Sequence, residues 1–214
     1  MTLFDTLAQG DIEGFKAGLA ADPAAAMTRN ASGASLLAFA AYVRNTEAVR
    51  AVRAALPIID PYEAIIIGDK ATLEAALAAG WDANIRSPDG FTPLGLAAFF
   101  DHGGIFDLLL PRTRDVNDQA TNAQKVAAIH AAAAVRNAGM VEKLLRAGAD
   151  PNLAQADTFT PLHAAAHHGD AVLAGLLLLF GADPRIRNAK GQDAIAHARA
   201  AGHVWLADRL EAHR

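Results

Sequence analysis

The chain has 214 residues, 52% of them hydrophobic, a net charge of −4 and a pI near 6.0, so it has no general electrostatic attraction to nucleic acid or anionic lipid. It contains no cysteine, which excludes disulfides, thiolate metal sites and thiol nucleophiles. The opening MTLFDTLAQGDIEG lacks a basic region followed by an apolar run, and the most apolar run, Leu176 to Phe180, is far too short to span a bilayer; the expectation is a soluble, cytoplasmic chain without a signal peptide.

In chain order, the sequence reads as seven similar units, each opening at an anchor residue. The first, from Met1, has a short apolar face of Leu3, Phe4, Leu7 and Phe15 and reaches Gly10. The second opens at Ser35 with Leu37, and the third at Ile59 with Pro61 and Gly68. The fourth, Thr92–Pro93–Leu94–Gly95–Leu96–Ala97–Ala98, is followed by the apolar stretch Ile105–Leu110. The fifth opens at Ala127 and holds Ile129 and Ala131–Ala134. The sixth, Thr160–Pro161–Leu162–His163–Ala164–Ala165–Ala166, repeats the fourth and is followed by Leu173–Leu178. The seventh opens at Asp193 and closes on Asp208, Arg209, Glu211, His213 and Arg214, a polar end suited to a cap. Successive anchors are 34, 24, 33, 35, 33 and 33 residues apart.

Further positions hold the register. Nine residues past the anchors stand Gly10, Gly68, Gly169 and Gly202, with Arg44, Asp101 and Arg136 departing; glycine there supplies the left-handed backbone that ends a helix. Twenty-three residues past four anchors stand Asp82, Asp115, Asp150 and Asp183, expected to form turns by bonding local amides. A threonine at a helix start caps orphan amides, and a proline just inside has no amide to leave unpaired. Alanine lets helix backbones approach closely at no side-chain entropy cost. Such a unit cannot bury its apolar face alone and depends on its neighbours. The short interval from Ser35 to Ile59 leaves no room for a hairpin in Leu56–Pro57–Ile58–Ile59–Asp60–Pro61.

The TPLH segment, paired alanines, glycine, apolar second helix and Gly–Ala–Asp turn resemble the ankyrin repeat, a match covering essentially the whole chain. The resemblance implies an all-α solenoid of stacked helix–turn–helix units with short β-hairpin loops, forming a single domain over 1–214 whose first and last units are caps. It implies a protein-binding scaffold rather than an enzyme, without cofactor or metal, whose partner is another protein. Monomer or weak homo-oligomer is the expected state.

In that family the concave face is formed by the seventh and eighth residues past each anchor. Here these include Tyr42, Val43, Ile66, Ile67, Phe99 and Phe100, an apolar row where polar residues are usual, followed by His167 and His168. Phe91, Val126 and Phe159 stand just before their anchors at the hairpin tips, beside Asp89, Gln124, Asp157 and Lys190. The row and the tips are the expected contact surface. His163, and His130 one unit earlier, occupy the slot of the family's motif histidine, which bonds the hairpin backbone. A rival reading places a small-ligand, metal-binding or catalytic site in a pocket near 58–69 or at the histidines of 163–168. No nucleophile elbow accompanies His102–Gly103–Gly104, and there is no phosphate-binding glycine loop or dinucleotide fingerprint.

Overall fold

A computed structural model describes residues 2–213. The Met1 anchor and the terminal Arg214 lie outside the described residues. The rest is built almost wholly of helix pairs. These are α1 (Leu3–Ala8) with α2 (Ile12–Ala21), α3 (Leu36–Tyr42) with α4 (Thr46–Ala55), and α5 (Pro61–Ile67) with α6 (Lys70–Ala78). There follow α7 (Pro93–Phe99) with α8 (Gly103–Leu109), α9 (Ala128–Ala134) with α10 (Ala138–Arg146), α11 (Pro161–His167) with α12 (Ala171–Leu179), and α13 (Ala194–Ala200) with α14 (Val204–Glu211). The chain forms two compact units. One holds the chain through Asp82 together with Arg86–Gly90; the other holds Ala83–Ile85 and everything from Phe91 on.

The turn inside every pair is made the same way. One residue takes a left-handed backbone: Gly10, Arg44, Gly68, Asp101, Arg136, Gly169 or Gly202. The next residue is the cap of the second helix. Asp11, Asn45, Asp69, Asn137 and Asp170 each accept a hydrogen bond from the amide three residues on, at 2.9–3.1 Å. A single left-handed residue reverses the chain in the least length available, and the cap restarts it. Ser35, Thr92 and Asp193 cap their first helices by the same bond. The third unit differs from the sequence reading. Its cap is Asp60, whose carboxylate accepts from the Glu63 amide at 2.8 Å while Glu63 Oε2 accepts from the Asp60 amide at 3.0 Å. A proline prefers the first helical position, so Pro61 makes Asp60 the cap and Ile59, a buried core residue, the position before it.

In the second unit the first helices α7, α9, α11 and α13 stack side by side, each touching the next. Their facing surfaces are small: Ala97, Ala98, Ala132, Ala133, Ala165, Ala166 and Ala198 are wholly buried. Phe106, Leu109, Leu144, Leu173 and Leu177 of the second helices close the core, as do Leu94, Ile129, Leu162 and Ile195. Asparagine clips tie successive loops. Asn117 donates to the Gly148 carbonyl at 3.2 Å and accepts from the Asp150 amide at 2.8 Å. Asn152 does the same to Gly181 and Asp183 at 2.9 and 2.7 Å, and Asn84 to Arg112 and Arg114 at 3.1 and 2.8 Å. Asp115, Asp150 and Asp183 accept from the amides two residues on at 2.8–2.9 Å, which makes them the expected turn formers.

In the first unit only five residues separate α4 from α5, and no hairpin forms there. The hairpin of residues 28–35 instead meets the tip at 87–90. A Cβ on Gly33, whose φ is +91°, would lie 2.5 Å from the Pro88 carbonyl oxygen. The Tyr42 hydroxyl donates to Asp89 Oδ2 at 2.8 Å, and the Ser87 hydroxyl donates to the other carboxylate oxygen. Thus the chain closes over the space that a missing hairpin leaves.

Candidate binding groove

The second unit presents a groove of about 460 Å³ between its hairpin tips and the inner helices α9 and α11. Its floor is made by Ala131, Ala134, Pro161 and Ala164, and apolar side chains rise around it from Phe99, Val126 and Phe159. Ala131, Ala134 and Ala164, next in sequence to the alanines of the helix contacts, have side chains short enough to leave the hollow. Gln124, Gln155 and Asp157 line the hairpin side. Neighbouring tips are joined by backbone bonds: the Ala156 amide donates to the Gln124 carbonyl at 3.0 Å, and the Ala189 amide to the Asp157 carbonyl at 2.7 Å. Those bonds hold the lining groups at fixed spacing.

Two buried histidines set the hairpins against the helices. His130 Nδ1 accepts from the Ala127 amide at 3.1 Å, which leaves the proton on Nε2 to donate to the Leu153 carbonyl at 2.8 Å. His163 repeats this with the Thr160 amide at 3.1 Å and the Gln192 carbonyl at 3.1 Å. Ala127 has no side-chain oxygen, so the imidazole serves as its cap partner. Burial lowers the His130 pKa from 6.5 to about 4, against the opposing pull of the Leu153 carbonyl. Burial lowers that of His163 too. Both rings are neutral at pH 7, and both nitrogens of each are committed, so neither is free to ligate a metal.

The candidate residues fall in different places. In the second unit, Phe99 is 38% exposed and half-buried Phe100 crosses it edge to face with ring centroids 5.1 Å apart. Phe100 stacks on His102 at 6.3 Å, so His102–Gly103–Gly104 is the start of α8 rather than a reactive loop. Phe159 packs against His163 at 5.1 Å and His197 at 5.4 Å, which gives the groove wall an aromatic backing. Phe91 and Val126 are half-buried. His167 and His168 are exposed, one turn beyond Ala164 on the same helix, with centroids 5.4 Å apart.

In the first unit, Val43 is 43% exposed, Ile67 is half-buried, and Tyr42 is held to Asp89. Burial and the Asp89 carboxylate together raise the Tyr42 pKa, so the phenol stays protonated. Ile66 does not match the expected exposed row: it is only 4% exposed. Counted from its true cap, Asp60, it stands at the sixth position, where Ala98, Ala133 and Ala166 are also buried.

One space near 58–69, bounded by Asp60, Tyr62, Glu63 and Ile66, is about 10 Å³. It has room for about one water molecule. Among the described residues no group of three His, Cys, Asp or Glu side chains is placed to hold a metal ion, and no helix is long and apolar enough to cross a membrane. The row residue Phe99, the tip positions Val126 and Phe159, and Gln124 and Asp157 beside them pointed to the groove from the sequence; Gln155 carried no signal there.

Compared with known families, the chain matches the model for ankyrin repeats in three copies, over residues 62–155 and 129–213. Compared with curated proteins, it matches none.

Proposed function

Because the chain belongs to the ankyrin-repeat family, whose members are generally protein–protein interaction modules, we propose that it works as a binding scaffold, not as an enzyme, and that its contact surface is the groove lined by Phe99, Val126 and Phe159. The carrying observation is the groove itself: a hollow of about 460 Å³ walled by large apolar side chains at positions that stacking does not require. Exposed His167 and His168 extend the surface along α11, and Val43 is a further candidate contact in the first unit. Of the histidines at 163–168 that could have favoured metal or catalytic chemistry, His163 is consumed in hairpin bonds, as is His130 one unit earlier, which supports the binding reading over the rival.

The test is a quantitative pull-down from the native host with the wild type and with Phe99→Glu. A partly exposed Phe99 is expected to cost well under the roughly 3–5 kcal/mol of emptying a buried phenylalanine site. Partner binding is expected to fall by about 2 kcal/mol, the size of a hot-spot contact. A variant that keeps its melting temperature and its full set of captured partners overturns the assignment.

A further inference from the structure

We infer that the groove takes an extended peptide that sets a lysine or arginine side chain against Asp157, with flanking apolar side chains over Phe99 and Phe159. The inference rests on the groove being the contact surface proposed above, and it adds the chemistry of the occupant. Among the lining residues Asp157 is the one that carries charge. The others are apolar, amide or hydroxyl groups, and His130, which is neutral because its Nδ1 already accepts a backbone hydrogen bond. Asp157 is exposed on its tip, and among the described residues its carboxylate takes part in no ion pair or hydrogen bond. Lys125 and Lys190 stand on the flanking tips and do not neutralise it.

A lone carboxylate at the lip of an apolar hollow favours a ligand that is cationic at one end and aliphatic along its stem. Lysine and arginine side chains have that form, with an apolar stem that lies on a ring and a head that reaches to water or a carboxylate. The side-chain amides of Gln124 and Gln155 are likewise uncommitted, one on each of two adjacent tips. Each offers both a donor and an acceptor, the complement of an extended peptide backbone. A volume of about 460 Å³ suits a stretch of a few residues rather than a whole helix.

The test pans a random heptapeptide library on the full chain, then measures fluorescein-labelled copies of the recovered peptides by anisotropy. The proteins are the wild type, Asp157→Asn, Asp157→Lys and Phe99→Ser. Asn tolerates the positive φ of 57° at this position, so the first variant preserves the tip. Recovered peptides are expected to carry a basic residue beside large apolar ones. Asp157→Asn is expected to weaken them roughly three- to tenfold, the scale of one partly screened ion pair. Asp157→Lys is expected to reject them and to accept the same peptides with the basic residue changed to glutamate. Peptides that lose affinity in Phe99→Ser but carry no basic residue, or are unchanged in Asp157→Asn, overturn this inference and leave the groove assignment standing. Peptides indifferent to both positions, or no peptides at all, overturn both.

Discussion

Arg44, Asp101 and Arg136 hold left-handed backbone, with φ of 55°, 58° and 61°, at the turn where four other pairs place glycine. The Cβ at such a position costs about 1–2 kcal/mol. Asp101 recovers some of this by accepting from Asn137 at 2.6 Å, and Arg136 by pairing with Asp170 at 3.3 Å. Among the described residues Arg44 makes no such bond. Arg44→Gly is therefore expected to stabilise the chain by up to about 1 kcal/mol, read as a higher urea midpoint, and Asp101→Gly by less. The buried His130 sets a pH dependence. Its folded pKa, about 4, lies below the unfolded value of 6.5, so the unfolded chain binds more protons between them. The His130 contribution to stability is expected to be complete above about pH 6.5 and to fall by about 3 kcal/mol as the pH approaches 4. His130→Gln is expected to be less stable at pH 7 but to lose less on acidification, measured by urea denaturation at several pH values.

At the scale of the element, the hairpins and loops are positioned by contacts of different kinds. Each asparagine clip satisfies a carbonyl and an amide of the next loop at once, so Asn152→Ala is expected to cost about 1–3 kcal/mol. Gly33→Ala is expected to cost at least as much, because the new Cβ would meet backbone 2.5 Å away and the φ of +91° disfavours any side chain. A circular dichroism melt checks both. The helix pairs were legible because the determinants are local: Thr92–Pro93 and Thr160–Pro161 declare a cap and a first turn, and Gly169 and Gly202 declare a reversal. The same local chemistry corrects the third pair, where counting from the repeat chose Ile59 and Pro61 chooses Asp60. That one-residue slip is why Ile66 was expected on the surface and lies in the core. The groove's wall residues were legible as row and tip positions, but its hollow was not, because that depends on which alanines leave space beneath which tips. Nor was the meeting of Gly33 with Pro88, which joins residues distant in the chain.

At the scale of the molecule, layers that touch only their neighbours distribute stability in a predictable way. In the second unit, Leu94→Ala and Ile195→Ala lie on helices separated by two others. Their costs, about 2–5 kcal/mol each for residues so buried, are expected to add within about 0.5 kcal/mol. Ile129→Ala and Leu162→Ala, on adjoining helices, are expected to depart from additivity by more, measured as a double-mutant cycle. In the first unit the short link between Ala55 and Pro61 bears on how the chain accepts added length. Surface connections ordinarily tolerate insertions. Here the place that extra residues would occupy is taken, because Pro88 and Asp89 already lie against Gly33 and Tyr42. Lengthening the link to a full hairpin would have to evict that tip and break the Tyr42–Asp89 bond, so a loop exposed to solvent is closed to insertion by a contact made elsewhere.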